Sequence, residues 1–310
     1  MTDPFNRDPS VRYGEVETLA VDGGVRLRRL TCQNPSPMTF TGTQTYLLGD
    51  GAEQAVVDPG PLDTAHLERI LAATGGSLSH ILVTHSHRDH SPGAAWLAAR
   101  TGAPVLGFGG HGTGMSQPMQ DLAAAGEIGG GEGGDPEFTP IRSLADGERI
   151  TAASWSLQAL HMPGHLSNHL SFVLEGAGAV FTGDTVMGWA TTLVSPPEGD
   201  MAAFMSTLDR LAGRDDKLYL PGHGHPVTDP RGMVAHQRTH REARAAQILA
   251  SLAEGPANAA TLAARIYDDV DAALLPAAAR NVLATLIWQT ELGTVRAEGP
   301  LSANVSFRRL

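Results

Sequence analysis

The sequence predicts a layered α/β domain over residues 1–230 and a small α+β domain over residues 231–310. Two observations lead to this fold class. Before residue 230, short apolar runs punctuated by Gly, Pro and Asp alternate with helical segments, as in α/β proteins. Beyond it, Ala- and Arg-rich helical segments end in two short strands around "EGP". Three helices and a terminal hairpin are the pattern of a winged helix.

The first elements alternate between strands and helices. "TQTYLLGDG" and "QAVVDPG" predict two strands joined by the turn "GDG". "DTAHLERILAATGG" predicts an amphipathic helix that ends at its glycines, with Leu67, Ile70 and Leu71 on the apolar face. A strand at "HILVTH", a helix from about Pro92 and a strand at "APVLGF" continue the alternation.

A glycine-rich stretch at residues 109–140 interrupts this order. It predicts a mobile insertion or lid, and composition alone fits a surface loop without a role equally well. Strands follow at "SLADGERI", "SWSLQALHMPGH", "HLSFVLEG" and "AVFTGDTV", then a helix at "DMAAFMSTLDRLAG" and a strand at "KLYLPGHG". In the second domain the first helix is expected to stop near Gly255.

Charge and composition restrict the function classes. The net charge is −11, and the acidity lies in residues 1–229, which hold 13 Lys and Arg against 26 Asp and Glu. An acidic body argues against a broad nucleic-acid interface.

The N-terminus lacks a signal-peptide pattern and no window approaches the roughly 20 apolar residues of a membrane span, so a cytoplasmic protein without a membrane partner is expected. The single cysteine, Cys32, is expected to be a small buried hydrophobe.

The residues most suited to chemistry cluster in "HILVTHSHRDHSPG", residues 80–93. His85 and His87 stand two apart at a strand end, where both would point to one side. Asp89 and His90 follow in the turn before the next helix. Zinc takes three or four N, O or S ligands, and a catalytic zinc leaves one position open. The stretch therefore offers two histidines to one metal and an Asp–His pair to a second.

The remaining ligands of such a site are expected in three later loops. His165 in "HMPGH", Asp184 in "FTGDT" and His223 in "LYLPGHG" each follow an apolar run and stand beside a glycine. Glycine lets the backbone turn sharply and bring a side chain in close. Asp58 in "VVDPG" occupies the same kind of position.

In this order and at these spacings, "HSHRDH", "PGHLSNH", "TGDT" and "PGHG" resemble the metallo-β-lactamase superfamily over about residues 40–230. With the tail, the chain is similar to the branch called lactamase-beta-like protein 2, which includes endoribonucleases and uncharacterised bacterial hydrolases. The resemblance implies a four-layer αββα sandwich followed by a winged-helix-like α+β domain, with a dinuclear metal site at the edge of the sandwich.

The resemblance also implies a ligand set. The first metal would be held by His85, His87 and His165, the second by Asp89, His90 and His223, with Asp184 bridging both. Asp58 would orient the ligand histidines from behind. His169 is expected to face the substrate or supply a proton, and an exposed histidine capping the next strand is the alternative. His111, His161 and His225 have no place in the motif.

A two-metal site of this kind indicates hydrolysis. Two Zn²⁺ ions, with Mn²⁺ or Fe as alternatives, would hold a bridging hydroxide, and Asp89 would orient it or take its proton. The expected substrate is a small ester-like molecule, a thioester, a lactone, an amide or a phosphodiester. An apolar pocket could be lined by Met187, Trp189, Phe204 and residues 109–140, although each side chain fits a core position as well.

Three other interpretations stay open at this stage. An endoribonuclease for single-stranded RNA is favoured by a basic tail, and iron-dependent persulfide dioxygenases are relatives. The third is a non-catalytic winged-helix binder. Surface arginines explain the tail equally, and it could instead pack against the catalytic domain or a second subunit of a homodimer. The arginines of that tail are Arg265, Arg280, Arg296, Arg308 and Arg309.

Overall fold

The computed structural model describes residues 8, 11–126, 133–268, 271 and 274–310. Within these ranges, two β-sheets pack face to face and helices cover both outer faces. A module of helices with a two-stranded sheet follows. The predicted αββα sandwich and winged-helix-like domain are both confirmed.

The first sheet has antiparallel pairs at its beginning and parallel pairs after its fourth strand. The second sheet is antiparallel except for its last pair. In spatial order the first sheet contains β1 (Glu17–Leu19), β2 (Leu27–Thr31), β3 (Gln44–Leu48), β4 (Ala55–Val57), β5 (His80–Leu82), β6 (Val105–Gly107) and β7 (Arg142–Ser143). In chain order the second contains β8 (Arg149–Thr151), β9 (Ser156–His161), β10 (Leu170–Leu174), β11 (Ala179–Gly183) and β12 (Leu218–Pro221).

The described α-helices fall into two groups by their order in the chain, those before the C-terminal module and those within it. The first group contains α1 (Thr64–Thr74), α2 (Gly93–Thr101), α3 (Gln117–Ala125) and α4 (Met201–Ala212). The second contains α5 (Pro230–Ser251), α6 (Ala259–Ile266) and α7 (Leu275–Glu291), followed by β13 (Val295–Ala297) and β14 (Phe307–Arg309). No helix among the described residues combines the length and apolarity needed to cross a bilayer.

Apolar side chains fill the space between each pair of layers. Between the sheets, the rings of Tyr46 and Phe181 meet edge to face with centroids 5.2 Å apart. The apolar face of α1, with Leu67 and Ile70, covers the first sheet. Phe204 of α4 is fully buried against the second sheet. Of the two placements expected for Phe204, the core position is therefore confirmed, and its ring does not line the pocket.

The glycine-rich stretch 109–140 contains a helix, α3, which the sequence reading missed. Met119 and Leu122 of α3 are buried in the core of the C-terminal module, together with Ile248 and Leu286. The described part of this stretch is thus anchored by burial of apolar side chains. Residues 127–132 of the predicted insertion or lid lie outside the described residues.

Helix α5 joins the sandwich to the C-terminal module. Val234, near its start, is buried with the side chains of α4, whereas Ile248, near its end, is buried with those of α6 and α7. The helix therefore contributes to two cores. The domain boundary at residue 230 stays a prediction, although α5 does begin at Pro230.

The strand directions bring the loops with the candidate ligands to one edge of the sandwich. Neighbouring strands β4 and β5 are parallel, as are β11 and β12. Strand β9 is antiparallel to β10, which is antiparallel to β11, so β9 runs in the same direction as β11. The carboxyl ends of parallel strands meet at one edge of a sheet. The loops that follow these strands carry Asp58, His85, His165, Asp184 and His223.

Candidate metal centre

Seven side chains gather at this edge in two groups that could each hold a metal ion. Within each group, one ligand atom per residue lies within 4.8 Å of every other. The structure thus brings together all seven residues expected from the sequence. The first group is His85, His87, His165 and Asp184, and the second is Asp89, His90 and His223.

The first group has the spacing of a tetrahedral site. Nδ1 of His87 lies 3.0 Å from Nε2 of His85 and 3.1 Å from Nε2 of His165. Oδ2 of Asp184 lies 3.9 and 3.7 Å from the same two Nε2 atoms. A tetrahedron with metal–ligand bonds of about 2.0–2.2 Å has edges of roughly 3.3–3.6 Å. The donor atoms therefore surround a space of the right size for one ion.

The second group is joined to the first through Asp184. Nε2 of His223 lies 3.1 Å from Oδ2 of Asp89 and 3.3 Å from Nε2 of His90. Asp184 approaches both histidines, with Oδ2 3.2 Å from His223 and Oδ1 3.6 Å from His90. Its carboxylate is therefore within reach of both spaces.

In two of the histidines, a backbone carbonyl group binds Nδ1 and leaves Nε2 available to a metal ion. Nδ1 of His165 donates to the carbonyl oxygen of Leu193 at 2.8 Å, and Nδ1 of His223 donates to that of Gly42 at 3.3 Å. A neutral imidazole that donates from one nitrogen has a lone pair on the other. Each Nε2 atom thus points into the site. That of His165 carries a lone pair, whereas burial would lower the pKa of His223 but Asp184 and Asp89 raise it to about 10, so a metal ion would take the place of its Nε2 proton.

Asp58 has the same effect on one histidine of each group. It accepts hydrogen bonds from the Thr84 amide at 2.8 Å, the Thr84 hydroxyl at 2.7 Å and Nδ1 of His90 at 2.9 Å. Because the Thr84 hydroxyl donates to Asp58, it accepts from Nδ1 of His85 at 2.9 Å. Asp58 therefore orients His90 directly and His85 through Thr84, as expected of a carboxylate behind ligand histidines.

This arrangement fits a pair of divalent cations. The ring nitrogens of His85, His90, His165 and His223 converge on one region, and unprotonated nitrogens about 3 Å apart repel each other unless a cation or a proton lies between them. Oδ1 of Asp184 is also buried without a hydrogen-bond partner among the described residues. Nitrogen-rich sets with one or two carboxylates suit zinc and also iron or manganese. The chain can thus bind two metal ions, whose identity the donor set leaves open.

Burial and neighbouring charges keep the first group in its ligand form. Burial, with His90 and His87 nearby, lowers the pKa of His85 well below its ordinary value, and burial lowers that of His165 to about 4. Burial would raise the pKa of Asp184, but His223 and His90 hold it well below its ordinary value. Neutral imidazoles beside an ionised carboxylate are the forms that metal binding requires.

His169 lies behind the ligands and does not line the cleft. Its ring is fully buried, and Nε2 accepts a hydrogen bond from the Asp184 amide at 3.1 Å, while Nδ1 lies 3.2 Å from the Thr185 hydroxyl. A Cβ atom at Gly183 would lie 2.7 Å from Nε2 of His169, which explains the glycine of "TGDT". This placement contradicts both the expectation that His169 faces the substrate and the alternative of an exposed histidine, because its ring is buried and its nitrogens are engaged by the Asp184 loop.

Glu198 is a site residue that the sequence reading missed. Its Oε1 lies 3.2 Å from Nε2 of His111, and its Oε2 lies 3.8 Å from Nε2 of His87. Burial would raise the pKa of Glu198, but the nearby His111 and His87 lower it to about 2. The residue stands in "SPPEGD", outside any strand-end motif, so nothing in the local sequence pointed to it.

An open cleft of about 300 Å³ leads to the two groups. Asp89, His87, His165, Asp184 and His223 lie at its floor, and Met38, Met187 and Leu193 contribute apolar surface to its walls. Exposed Arg88 lies at its rim. The expectation that Met187 lines the pocket is met. Trp189 is instead stacked on Phe40, with ring centroids 5.0 Å apart.

Two family models match this chain. One, described as the metallo-beta-lactamase superfamily, matches residues 38–223 and so includes every candidate ligand. The other, described as a beta-lactamase associated winged helix domain, matches residues 259–300. Both matches agree with the resemblance found in the motifs.

Similar proteins occur in animals, fungi and bacteria. The chain is 30% identical over 267 residues to the beta-lactamase-like protein 2 homolog of Drosophila melanogaster, covering 83% of this chain and 84% of that protein. It is 30% identical over 230 residues to an atrochrysone carboxyl ACP thioesterase of Claviceps purpurea, covering 73% of this chain but only 65% of that relative. A crystal structure of a metallo-beta-lactamase family protein from Thermus thermophilus superposes with a TM-score of 0.74 at 25% identity, covering 92% of this chain and 98% of that one.

Proposed function

This chain belongs to the hydrolases of the metallo-beta-lactamase superfamily, and on that premise we propose that it is a two-metal hydrolase of small thioesters or related activated esters. The observation that carries the proposal is the Asp184 carboxylate, which lies between two ligand groups at the floor of an open cleft. A fungal relative named as an acyl carrier protein thioesterase supports the choice of a thioester over other esters.

The proposed ligands are those that the motifs suggest. When bound, the two metals supply Lewis acid polarisation of the scissile carbonyl and a water whose pKa is lowered towards neutrality. Histidine nitrogens and the shared carboxylate hold the ions in place. One ion would be bound by His85, His87, His165 and Asp184, and the other by Asp89, His90, His223 and Asp184.

Asp89 is the proposed proton acceptor. It lines the cleft, and its side chain is 26% exposed, so both substrate and solvent can approach it. Burial would raise its pKa, but His90 and His223 hold it well below the ordinary value, so the carboxylate is ionised at neutral pH. Asp89 can thus orient a water molecule and hold the proton that the water loses. His169 contributes by fixing the Asp184 amide, as a positioning residue.

The walls of the cleft favour a small acyl group. Met38, Met187 and Leu193 offer flexible apolar surface to an aliphatic or aromatic chain. A cleft of about 300 Å³ is at the lower end of the range for ligand pockets. Arg88 at the rim could contact an anionic group on the substrate, which the acidic body of the protein would otherwise repel.

A substrate panel with the zinc-loaded protein tests the proposal. We expect hydrolysis of acyl thioesters, with weaker activity on lactones and none on single-stranded RNA. Asp184→Asn and His87→Ala should reduce hydrolysis to background, whereas Asp215→Asn, at a fully exposed carboxylate, should leave it unchanged. Cleavage of RNA without thioester hydrolysis would overturn the proposal in favour of a ribonuclease.

Metal analysis provides a separate test. Protein purified without added metal should contain close to two zinc ions per chain. A single iron ion, together with oxygen consumption on a persulfide substrate, would instead support the dioxygenase alternative. Chelation should abolish hydrolysis, and added Zn²⁺ should restore it.

A further inference from the structure

A buried polar contact joins the C-terminal module to the loop that follows Asp184. Gln237 and Arg241 lie one turn apart on α5 and are 0% and 2% exposed. Oε1 of Gln237 accepts a hydrogen bond from the Thr192 amide at 3.2 Å, and Nη2 of Arg241 donates to the Thr192 carbonyl oxygen. One helix therefore holds both backbone polar groups of one loop residue.

Thr192 and its neighbour in turn hold two of the candidate ligands. The Thr192 hydroxyl lies 3.0 Å from the carbonyl oxygens of both Asp184 and Thr185, to which it can donate. The carbonyl oxygen of Leu193 accepts the hydrogen bond from Nδ1 of His165 at 2.8 Å. A displacement of this loop would thus move the Asp184 backbone and rotate the His165 ring.

The buried guanidinium of Arg241 is costly, which argues for a specific role. Its Nη1 lies 3.3 Å from Oδ1 of Asn281 on α7, and its Cζ lies 5.3 Å from the ring centroid of Phe204. Nε has no hydrogen-bond partner among the described residues. Burial lowers the pKa of Arg241 to about 10, so the group remains charged at neutral pH. An apolar side chain of similar volume often packs at lower free energy than a buried charge.

We propose that Gln237 and Arg241 are positioning residues for the metal centre, acting through Thr192 and Leu193 on Asp184 and His165. The C-terminal module would then hold the loop of Thr192 and Leu193 in place and so set the geometry of the first ligand group. This inference rests on the proposed metal centre. It gives the module a role that requires neither nucleic acid nor a second subunit.

The test compares matched substitutions in the full-length chain, using metal binding as the readout. Thr192→Val removes the hydroxyl and keeps the shape, whereas Thr192→Ser keeps the hydroxyl. Gln237→Met removes both polar atoms that face Thr192. Arg238→Met is the control, since Arg238 lies on the same helix but is 40% exposed and pairs with Asp209 and Glu242. Zn²⁺ affinity is measured by competition with a chromophoric chelator, and Co²⁺ is added to record the visible spectrum of the site.

Thr192→Val, Gln237→Met and Arg241→Met should each weaken the affinity for one of the two Zn²⁺ ions about 10-fold, the lower end of the effect seen for partners of metal ligands, and shift the Co²⁺ absorption bands. Thr192→Ser and Arg238→Met should match the parent. Urea unfolding of the metal-free proteins confirms that each variant is folded, which matters most for Arg241→Met. If the parent binds two ions and all three test variants keep its affinity and spectrum, the proposed positioning role is overturned. If the parent binds no metal, the proposed function itself fails.

Discussion

In four ligand histidines the ring nitrogen that points away from the site donates a hydrogen bond to one of three kinds of acceptor. His165 and His223 donate to carbonyl oxygens, His90 to a carboxylate and His85 to a threonine hydroxyl. A carboxylate partner increases the basicity of a ligand imidazole as well as orienting it. Asp58 therefore has the widest influence on the site, because it acts on one histidine of each group.

Replacing Asp58 by asparagine tests this influence. Asp58 has a positive φ of 52°, a conformation that Asn tolerates better than most residues, so Asp58→Asn should leave the backbone in place. The amide has one oxygen for three donors, so His90 and Thr84 would compete for it. We expect Zn²⁺ affinity to fall about 10- to 100-fold, measured by chelator competition. An unchanged affinity would contradict the role given to Asp58, and Asp50→Asn, at an exposed carboxylate, is the control.

His66 predicts a pH dependence of stability outside the metal centre. Thr45 donates its hydroxyl proton to the Asp58 carbonyl oxygen at 2.7 Å, so it accepts from Nε2 of His66 at 2.9 Å. Nδ1 of His66 is then buried without a partner among the described residues, and burial lowers its pKa to about 4. The unfolded chain takes up this proton near its ordinary pKa of 6.5, before the folded one does. The associated stability is complete above that pKa and is lost as pH falls towards 4.

The loss should amount to about 3 kcal/mol over that interval, since one pKa unit corresponds to ~1.4 kcal/mol. His66→Gln keeps a donor to Thr45 and does not titrate. Urea unfolding of metal-free protein at several pH values between 7.5 and 4.5 should give a shallower slope for His66→Gln than for the parent. Equal slopes would show that His66 is not buried in its neutral form.

At the scale of elements, the sequence reading succeeded where local patterns decide the structure. The predicted helices at α1, α2 and α4 formed, because an apolar stripe and a terminal glycine or aspartate are local signals. Helix α3 was missed, since only contacts of Met119 and Leu122 with the distant C-terminal core account for its burial. Strands β1 and β2 were also missed, because "LRRLT" gives no clear alternation of apolar and polar residues.

The ligands and the residues that contact them also differ in how far they could be predicted from sequence. His85, Asp184 and the other ligands stand in short motifs at strand ends and were found from sequence. Asp58, behind His90, also stands at a strand end and was found in the same way. Glu198 and Arg241 were missed, because they stand in no such motif and their partners His87 and Thr192 are distant in the chain. Only the folded chain brings such pairs together.

The cap of α4 provides a prediction at this scale. Oδ1 of Asp200 accepts hydrogen bonds from the amides of Ala202 at 2.9 Å and Ala203 at 3.2 Å, and Oδ2 accepts from the Ser116 hydroxyl at 2.7 Å. Asp200→Ala should lower the free energy of unfolding by about 1–2 kcal/mol, because the first turn of α4 loses its acceptor. Asp200→Ser keeps a capping oxygen and should recover most of the loss. Urea unfolding of the three proteins measures both effects, and equal midpoints would contradict the cap.

At the scale of the whole molecule, the sandwich and the C-terminal module share structural elements. Val234 and Ile248 of α5 are buried in different cores, and α3 places Leu122 in the core of the C-terminal module. If either the sandwich or the C-terminal module unfolds, apolar surface of the other is therefore exposed to water. The whole chain carries a formal net charge of −11, and two bound divalent cations would offset part of it.

This sharing predicts that the metal-free protein unfolds in one cooperative transition. Leu286 is fully buried in the core of the C-terminal module, and Leu286→Ala should cost about 2–5 kcal/mol through the cavity it leaves. If the two bodies unfold together, calorimetry should show a single peak that moves as a whole to lower temperature, with calorimetric and van't Hoff enthalpies equal. Leu208→Ala, at a buried position of α4 in the sandwich, should shift the same peak in the same direction. A Leu286→Ala protein with a separate early peak would mean that the module unfolds alone, and α5 could then not hold Thr192 in place after that first transition.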